Sequence, residues 1–372
     1  MSRILILANH YNTLRIFRRE LIQELVHQGN QVIVSIPSCD DENKELLESY
    51  GCSVLFMTMD RRGKNPFQDL TVITQYWKLL KEVKPDKVIT YTIKPNIYGS
   101  LVCKWKKVPH YANVTGLGST FQKEGILRKL VSLMYRFSMN KAEKVFFENE
   151  GNRDTLVQDG IIRQEQTVVL PGAGVNLDEF PATSYPEEQS PIRFLFIGRI
   201  MQEKGVDEYF DAIVRLKKDY PDTEFLFIGW YEEHYEAKVR QLEEQGLLQF
   251  YGFQPNVKPF IEKAHCIVLP SWHEGMSNTL LEASAMCRPI ITTRIHGCME
   301  AVEEGVNGYL TEKQSAESIY LAMHQFMEIP YEEKKQMGAA GRKRMEQYFD
   351  KKNVVKRTID CIFENTQEDS PL

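Results

Sequence analysis

Short apolar runs recur along the chain, each followed by polar or glycine-containing turn residues and then by a longer stretch with apolar positions three or four apart. The first run, Ile4 to Leu7, leads through Asn9 to Thr13 into a helical pattern carried by Phe17, Leu21, Ile22 and Leu25 and stopped at Gly29. Gln31 to Ile36, Ser53 to Met57, Lys87 to Thr92, His110 to Val114, Lys144 to Phe147 and Thr167 to Leu170 repeat the strand signal, with helices predicted over 69–82 and 126–140. Continuous apolar runs alternating with helices mark parallel strands covered on both faces. Residues 181–191 then carry three prolines and no apolar period, which predicts a linker. Beyond it the count restarts with strands over 192–197, 224–228, 248–251, 266–269, 289–292 and 308–310, and helices over 206–218, 232–245, 331–347 and 351–364. The pattern predicts an α/β protein with two parallel-sheet domains, 1–185 and 191–348, and a C-terminal segment 349–372. Two such halves leave a cleft, and parallel sheets bind ligands at the carboxyl ends of their strands.

Composition agrees with a folded globular chain: 372 residues, 42% hydrophobic and 26% charged, enough for two cores. A net charge of -5 argues against a general nucleic-acid binder. The seven cysteines are scattered with no Cys-x-x-Cys pair, which speaks against a zinc site or a disulfide scaffold and for a reducing compartment. The opening residues are too soon polar for a signal peptide, and no eighteen-residue apolar run exists to span a membrane.

The stretch from Pro270 to Ala283 carries candidate chemistry. It follows the run Cys266 to Leu269, so it reads as a strand-to-helix loop, with Ser277 or Asn278 capping a helix that bears Glu282 on its third turn. Glu274 and Glu282 would straddle a helix start, whose unsatisfied N–H groups favour an anion. At ~1.5 Å per helical residue the two lie about 10 Å apart, comparable to the span between two sugars joined by a diphosphate. A carboxylate accepts two hydrogen bonds from a vicinal diol, while the backbone of Gly275, Met276 and Ser277 can hold phosphate. A Glu274 stabilised by the helix dipole and a surface Glu282 would need no ligand at all. Gly198-Arg199-Ile200-Met201-Gln202-Glu203-Lys204-Gly205, after the first strand of the second half, adds two cations: Arg199 as a planar fork and Lys204 as a point charge. Taken alone, that segment reads first as a solvated loop.

With these residues in place the chain resembles the GT-B glycosyltransferases of family 4, retaining enzymes that use nucleotide sugars. The resemblance rests on Gly198-Arg199 with Lys204-Gly205, Pro270-Ser271 with Glu274-Gly275, Asn278, Leu281-Glu282-Ala283, Pro289-Ile290, and Gly297 with Glu300 ahead of Asn307-Gly308. It implies a GT-B fold of two Rossmann-like domains with parallel sheets facing across a cleft, and a final helix, Lys351 to Asn365, that crosses back to the first domain. It further implies that Arg199 and Lys204 bind the donor diphosphate, Glu274 the donor hexose and Glu282 the ribose. Gly198, Gly275, Met276, Ser277 and Asn278 would complete the donor site, with Glu274, Arg199 and Lys204 as the catalytic set.

Tyr91 to Gly99 and Val114-Thr115-Gly116-Leu117-Gly118 resemble the branch of that family acting on undecaprenyl-diphosphate-linked sugars. On that resemblance Lys94, Asn96, Thr115 and Gly116 face the acceptor. A sheet wound as predicted also turns Asn9, His10 and Asn12, at the end of the first strand, toward the cleft, where Asn9 can touch the acceptor, although a plain turn is the first reading of these residues. Many members carry a histidine near the end of the strand before the glycine-rich loop. This chain has Val114 and Thr115 there, and its nearest histidine, His110, lies at the strand start. His273 stands where arginine is common, and Cys287 where glycine is common.

The implied reaction moves a hexose or N-acetylhexosamine from a UDP sugar to a lipid-diphosphate-linked saccharide, by attack on the face the diphosphate leaves. The chain has no Asp-x-Asp motif, and Arg199, Lys204 and a helix N-terminus can supply positive charge directly, so neither a metal nor another cofactor is expected. A sugar-nucleotide epimerase or hydrolase would need paired carboxylates in the first half, and none present themselves. A non-catalytic nucleotide-sugar-binding subunit would not need Arg199, Lys204, Glu274 and Glu282 together.

Between Lys94 and Lys144 ten basic residues face two acidic ones, a local +8 in an otherwise acidic chain. The helix from Ile126 mixes its cations with Leu127, Leu130, Val131, Met134 and Phe137, which fits both an ordinary core stripe and an anionic membrane surface. The expected location is the cytoplasm, peripherally on the inner face of the cell membrane.

Overall fold

A computed structural model describes residues 1–58, 66–118, 121 and 125–363, and of 66–68 only the backbone. Lys123 and Glu124 of the basic stretch, and the tail from 364 onward with the expected end of the last helix, lie outside the described residues. The chain divides into two compact units, Met1–Ala173 together with the segment that begins at Lys352, and Gly174–Lys351.

In the first unit β1 (Arg3–Leu7), β2 (Gln31–Ile36), β3 (Ser53–Phe56), β4 (Lys87–Tyr91), β5 (His110–Val114), β6 (Lys144–Phe147) and β7 (Thr167–Val169) form one parallel sheet in the order β3-β2-β1-β4-β5-β6-β7. Side chains alternate between two cores: Leu5 and Leu7 of β1 enter one, Ile4 and Ile6 the other. Because both faces are covered by helices, the strands read as continuous apolar runs. The first core takes Val72, Tyr76 and Leu80, Val102 and Cys103, and Tyr135 and Met139 from three helices. The second takes Leu21, Ile22 and Leu25 and, from helix Lys351–Phe363, Val354, Val355, Ile359 and Ile362.

Two local expectations change. The helix expected to run unbroken to Gly29 is two, Tyr11–Phe17 and Arg19–His27, parted at Arg18. The Arg18 guanidinium lies 2.9 Å from Glu148 and 4.9 Å from the centre of the Tyr91 ring, a nearly buried set of contacts that local periodicity does not encode. The apolar positions of helix Ile126–Met139 also divide between two faces. Tyr135, Ser138 and Met139 are buried and Val131 and Met134 pack against the core, whereas Ile126, Leu130, Leu133 and Phe137 line an outward stripe. Ile126 is 87% and Leu133 61% exposed. Beside this stripe the Lys104 ammonium stands 3.9 Å from the Phe137 ring and Lys106 3.9 Å from that of Trp77, which lies 6.3 Å from Trp105.

In the second unit β8 (Arg193–Ile197), β9 (Glu224–Ile228), β10 (Gln249–Phe250), β11 (Cys266–Leu269), β12 (Ile290–Thr293) and β13 (Gly308–Thr311) form a parallel sheet in the order β10-β9-β8-β11-β12-β13 around one continuous core. The proline-rich segment 181–191 is held on this unit: Thr183 donates to the Met286 carbonyl at 3.0 Å and Tyr185 to that of His265 at 2.9 Å. Beneath it lies Arg288, fully buried, which donates to the carbonyls of Ile261, Met286, Cys287, Ser184 and Glu262 at 2.7–3.2 Å. Carbonyls at the ends of two helices surround its charge, so their dipoles offset it.

Candidate active site

In the second sheet β8 and β11 are neighbours, while the chain winds outward to β9 on one side and to β12 on the other. A crevice opens at the carboxyl end of such a pair. The loop after β8 and the loop after β11 meet there, because Gly205 adopts φ +70° and a Cβ on it would stand 2.1 Å from the Pro270 carbonyl oxygen. Only glycine permits that approach. Two further main-chain hydrogen bonds support the arrangement, from Trp272 N–H to Glu203 O at 2.9 Å and from Ser277 N–H to Gly297 O at 2.8 Å. Gly297, at φ +89°, lies so close that its Cβ would be 2.5 Å from the Gly275 oxygen.

This packing joins Lys204 to Glu274. The ammonium pairs with the Glu274 carboxylate, whose same oxygen accepts from the Ser271 hydroxyl at 2.8 Å, and both charged side chains are mostly buried. Arg199, after Gly198, is more exposed and lies 3.7 Å from Glu232. His273 Nε2 stands 3.0 Å from Glu203, so at this departure from the family pattern the side chain faces a carboxylate. Glu203 and Glu232 escaped sequence reading, since nothing in their spacing marks them.

Met276 is buried and Ser277 occupies the N-cap position of helix Asn278–Ala285, but its side chain makes no capping bond. Asn278 instead turns its amide toward Met276 O at 3.4 Å, so the expected side-chain cap is absent and the helix start is bounded by backbone. Glu282 falls on the second turn of this helix, not the third, because the helix begins only at Asn278. Burial pushes its carboxyl up to about 7, with nearby Glu179 adding to the effect and Lys351 opposing it. Glu300 accepts from Gly297 N–H at 2.7 Å and faces His296 Nδ1 at 2.8 Å, which makes it a brace for the Gly297 contact.

In the first unit the strand order reverses at β1 and β4. Asn9 follows β1, and His10 caps the next helix by accepting from Asn12 N–H at 3.1 Å, the turn role. Lys94, after β4, pairs with Asp69 at 2.9 Å. Asn96 is turned inward: its amide accepts from the Thr90 hydroxyl at 2.7 Å and donates to Asn113 O at 2.7 Å. With 1% of its surface exposed, its side chain here ties β4 to β5. Thr115 and Gly116 are partly exposed just past the end of β5. His110 opens β5 at its amino end, away from Thr115, where burial lowers its imidazole to about 4 and keeps it neutral.

Residues 181–344 match the family model of glycosyl transferases group 1, and residues 3–149 match that of glycosyl transferase 4-like proteins. The N,N'-diacetylbacillosaminyl-diphospho-undecaprenol alpha-1,3-N-acetylgalactosaminyltransferase of Campylobacter jejuni is 26% identical over 319 residues, covering 82% of this chain and 83% of that protein. The UDP-Gal:alpha-D-GlcNAc-diphosphoundecaprenol alpha-1,3-galactosyltransferase of Escherichia coli is 24% identical over 280 residues, covering 70% of this chain and 71% of its own. Among solved structures, HepE of Anabaena in complex with UDP and glucose superposes with a TM-score of 0.78 at 17% identity, covering 98% of this chain and 100% of that one. Domain matches in both units, on two parallel sheets wound in the same order, make this chain a glycosyltransferase of the GT-B fold, a glycosyl transferase 4-like domain followed by a group 1 domain.

Proposed function

We propose that the enzyme transfers a hexose or N-acetylhexosamine from a UDP sugar to a lipid-diphosphate-linked saccharide with retention of configuration, the second unit holding the donor and the first the acceptor. The observation that carries this reading is the meeting of Lys204 and Glu274 at the β8–β11 crevice, where the two glycine-seamed loops bring a cation and a diol-binding carboxylate together. Lys204 and the more exposed Arg199 offset charge on the departing diphosphate, and Glu274 takes hydroxyls of the transferred sugar. Glu282, a carboxyl near neutrality in its affinity for protons, accepts from the ribose diol. The bond from the anomeric carbon to phosphate breaks, the acceptor oxygen bonds to the same face, and its proton passes to the phosphate oxygen that leaves. These side chains supply the positive charge themselves, so turnover is expected to persist in EDTA.

The names of the two relatives, both acting on diphospho-undecaprenol-linked sugars, support the acceptor class. A membrane-borne acceptor also suits the outward stripe Ile126, Leu130, Leu133 and Phe137, flanked by Lys104, Lys106, Trp77 and Trp105, a face fitted to an anionic lipid surface. Among the described residues no helix is long and apolar enough to cross a membrane. The test is release of UDP from a donor panel with and without a lipid-diphosphate saccharide, followed by NMR of the product. Acceptor-dependent UDP release and a retained anomer are expected; an inverted linkage, or release independent of acceptor, overturns the reading.

A further inference from the structure

The residue that ends β4 has an unusual backbone. Thr92 adopts φ +74°, in the left-handed region that glycine enters freely and a β-branched residue does not. Its hydroxyl donates to the Tyr91 carbonyl, and its own carbonyl accepts from Asn96 N–H at 2.9 Å. A widened helical turn, Pro95–Gly99, follows at once. Two departures from regular geometry thus fall within eight residues, beside the point where the strand order of the first sheet reverses.

The surroundings hold this conformation from several sides. The buried Asn96 amide joins Thr90 of β4 to Asn113 of β5, and Asn113 donates back to Thr90 O at 3.3 Å. Gly99 is pressed against β1, where a Cβ would stand 2.8 Å from Leu7 Cδ1. Lys94 is tied to Asp69, and Ile93 lies against Gly118 in the loop after β5. A strained residue persists where its neighbours over-determine it, and such residues gather at ligand sites. Ile93 packs against the core and Lys94 is paired with Asp69, whereas Thr92 stays partly exposed just past the carboxyl end of β4, the end at which such a sheet takes its ligand.

We propose that Thr92 is a specificity-determining residue for the acceptor saccharide, its methyl and hydroxyl forming part of the crevice wall, and that Asn96 is the positioning residue that holds it there. The inference rests on the reading that the first unit takes the acceptor. It explains why a side chain occupies a backbone that glycine would fit with less strain.

The experiment compares wild type, Thr92→Gly and Thr92→Ser in the full chain, measuring thermal unfolding, donor KM, and kcat and KM over a panel of lipid-diphosphate mono- and disaccharides. Thr92→Gly is expected to melt a few degrees higher, to lose about tenfold or more in kcat/KM for the preferred acceptor, mainly through acceptor KM, and to narrow the gap between acceptors. Thr92→Ser, which restores the hydroxyl, recovers part of the loss. A Thr92→Gly enzyme that melts lower, or that keeps wild-type acceptor preference and KM, overturns the proposal. Failure of the wider reading shows instead in the wild type, as no transfer to any lipid-diphosphate acceptor; the three proteins are then compared on whichever acceptor the wild type extends.

Discussion

Lys204 and Glu274, 70 positions apart, hold each other as a mostly buried ion pair at the carboxyl end of the second sheet. Each is therefore the other's partner before any ligand arrives, and removing one leaves a desolvated charge. Lys204→Met and Glu274→Gln should each lower turnover by about 10²-fold or more, and each should destabilise the fold by about 2–3 kcal/mol. The double variant should regain most of that stability and none of the activity. Denaturant titration beside steady-state kinetics checks both halves; a double variant as unstable as the sum of the singles contradicts the pairing.

Glu282 gives a dependence on pH. Its carboxyl holds a proton up to about 7 in the folded chain, against 4.5 for the ordinary group. The folded state thus binds more protons than the unfolded one in that window, and this group's contribution to stability is present at acid pH and lost as pH rises through it. Donor binding runs the other way, because a diol donates to the ionised form. Affinity for an intact nucleotide sugar should rise between about pH 6 and about pH 8, and Glu282→Gln should flatten the profile in calorimetric titration.

Arg288 serves five carbonyls. Arg288→Met keeps the bulk but leaves those acceptors buried without donors, and should destabilise the protein by about 3 kcal/mol or more. Chemical denaturation reads this directly.

Cys287 adopts φ +62° at the end of helix Asn278–Ala285, where Arg288 N–H closes back on Ala283 O at 3.0 Å. Glycine belongs at such a terminus, so Cys287→Gly should stabilise by about 1 kcal/mol. An unchanged or lower unfolding midpoint would contradict the assignment of strain.

On the outer helical face, Leu130→Glu combined with Leu133→Glu changes two exposed positions. The circular dichroism spectrum should be unaltered, while flotation with vesicles rich in anionic lipid should fall sharply. Undiminished flotation would move the membrane contact elsewhere.

The strands were legible because helices cover both faces of each sheet, so Ile4 to Leu7 or Cys266 to Leu269 could be uniformly apolar. Glu274 and Gly275 were legible because a loop between such a strand and a helix has a recognisable composition. The pairing of Lys204 with Glu274 was not, since their meeting depends on where two glycines let separate loops touch. The break at Arg18 depends on Glu148, 130 positions away. Asn96 looked like any polar loop residue, and only its contacts with Thr90 and Asn113 reveal that it faces inward. In helix Ile126–Met139 apolar residues occupy so much of the circumference that periodicity could not say which of them meet solvent.

The seams at Gly205 and Gly297 run main chain against main chain. Neither contact involves the identity of the side chains at 199, 203, 272 or 273, which project from loops whose course the backbone already sets. Such a frame keeps its course when a side chain on it is exchanged, so a change at 203, 272 or 273 alters what the loops present and leaves the loops themselves where they are.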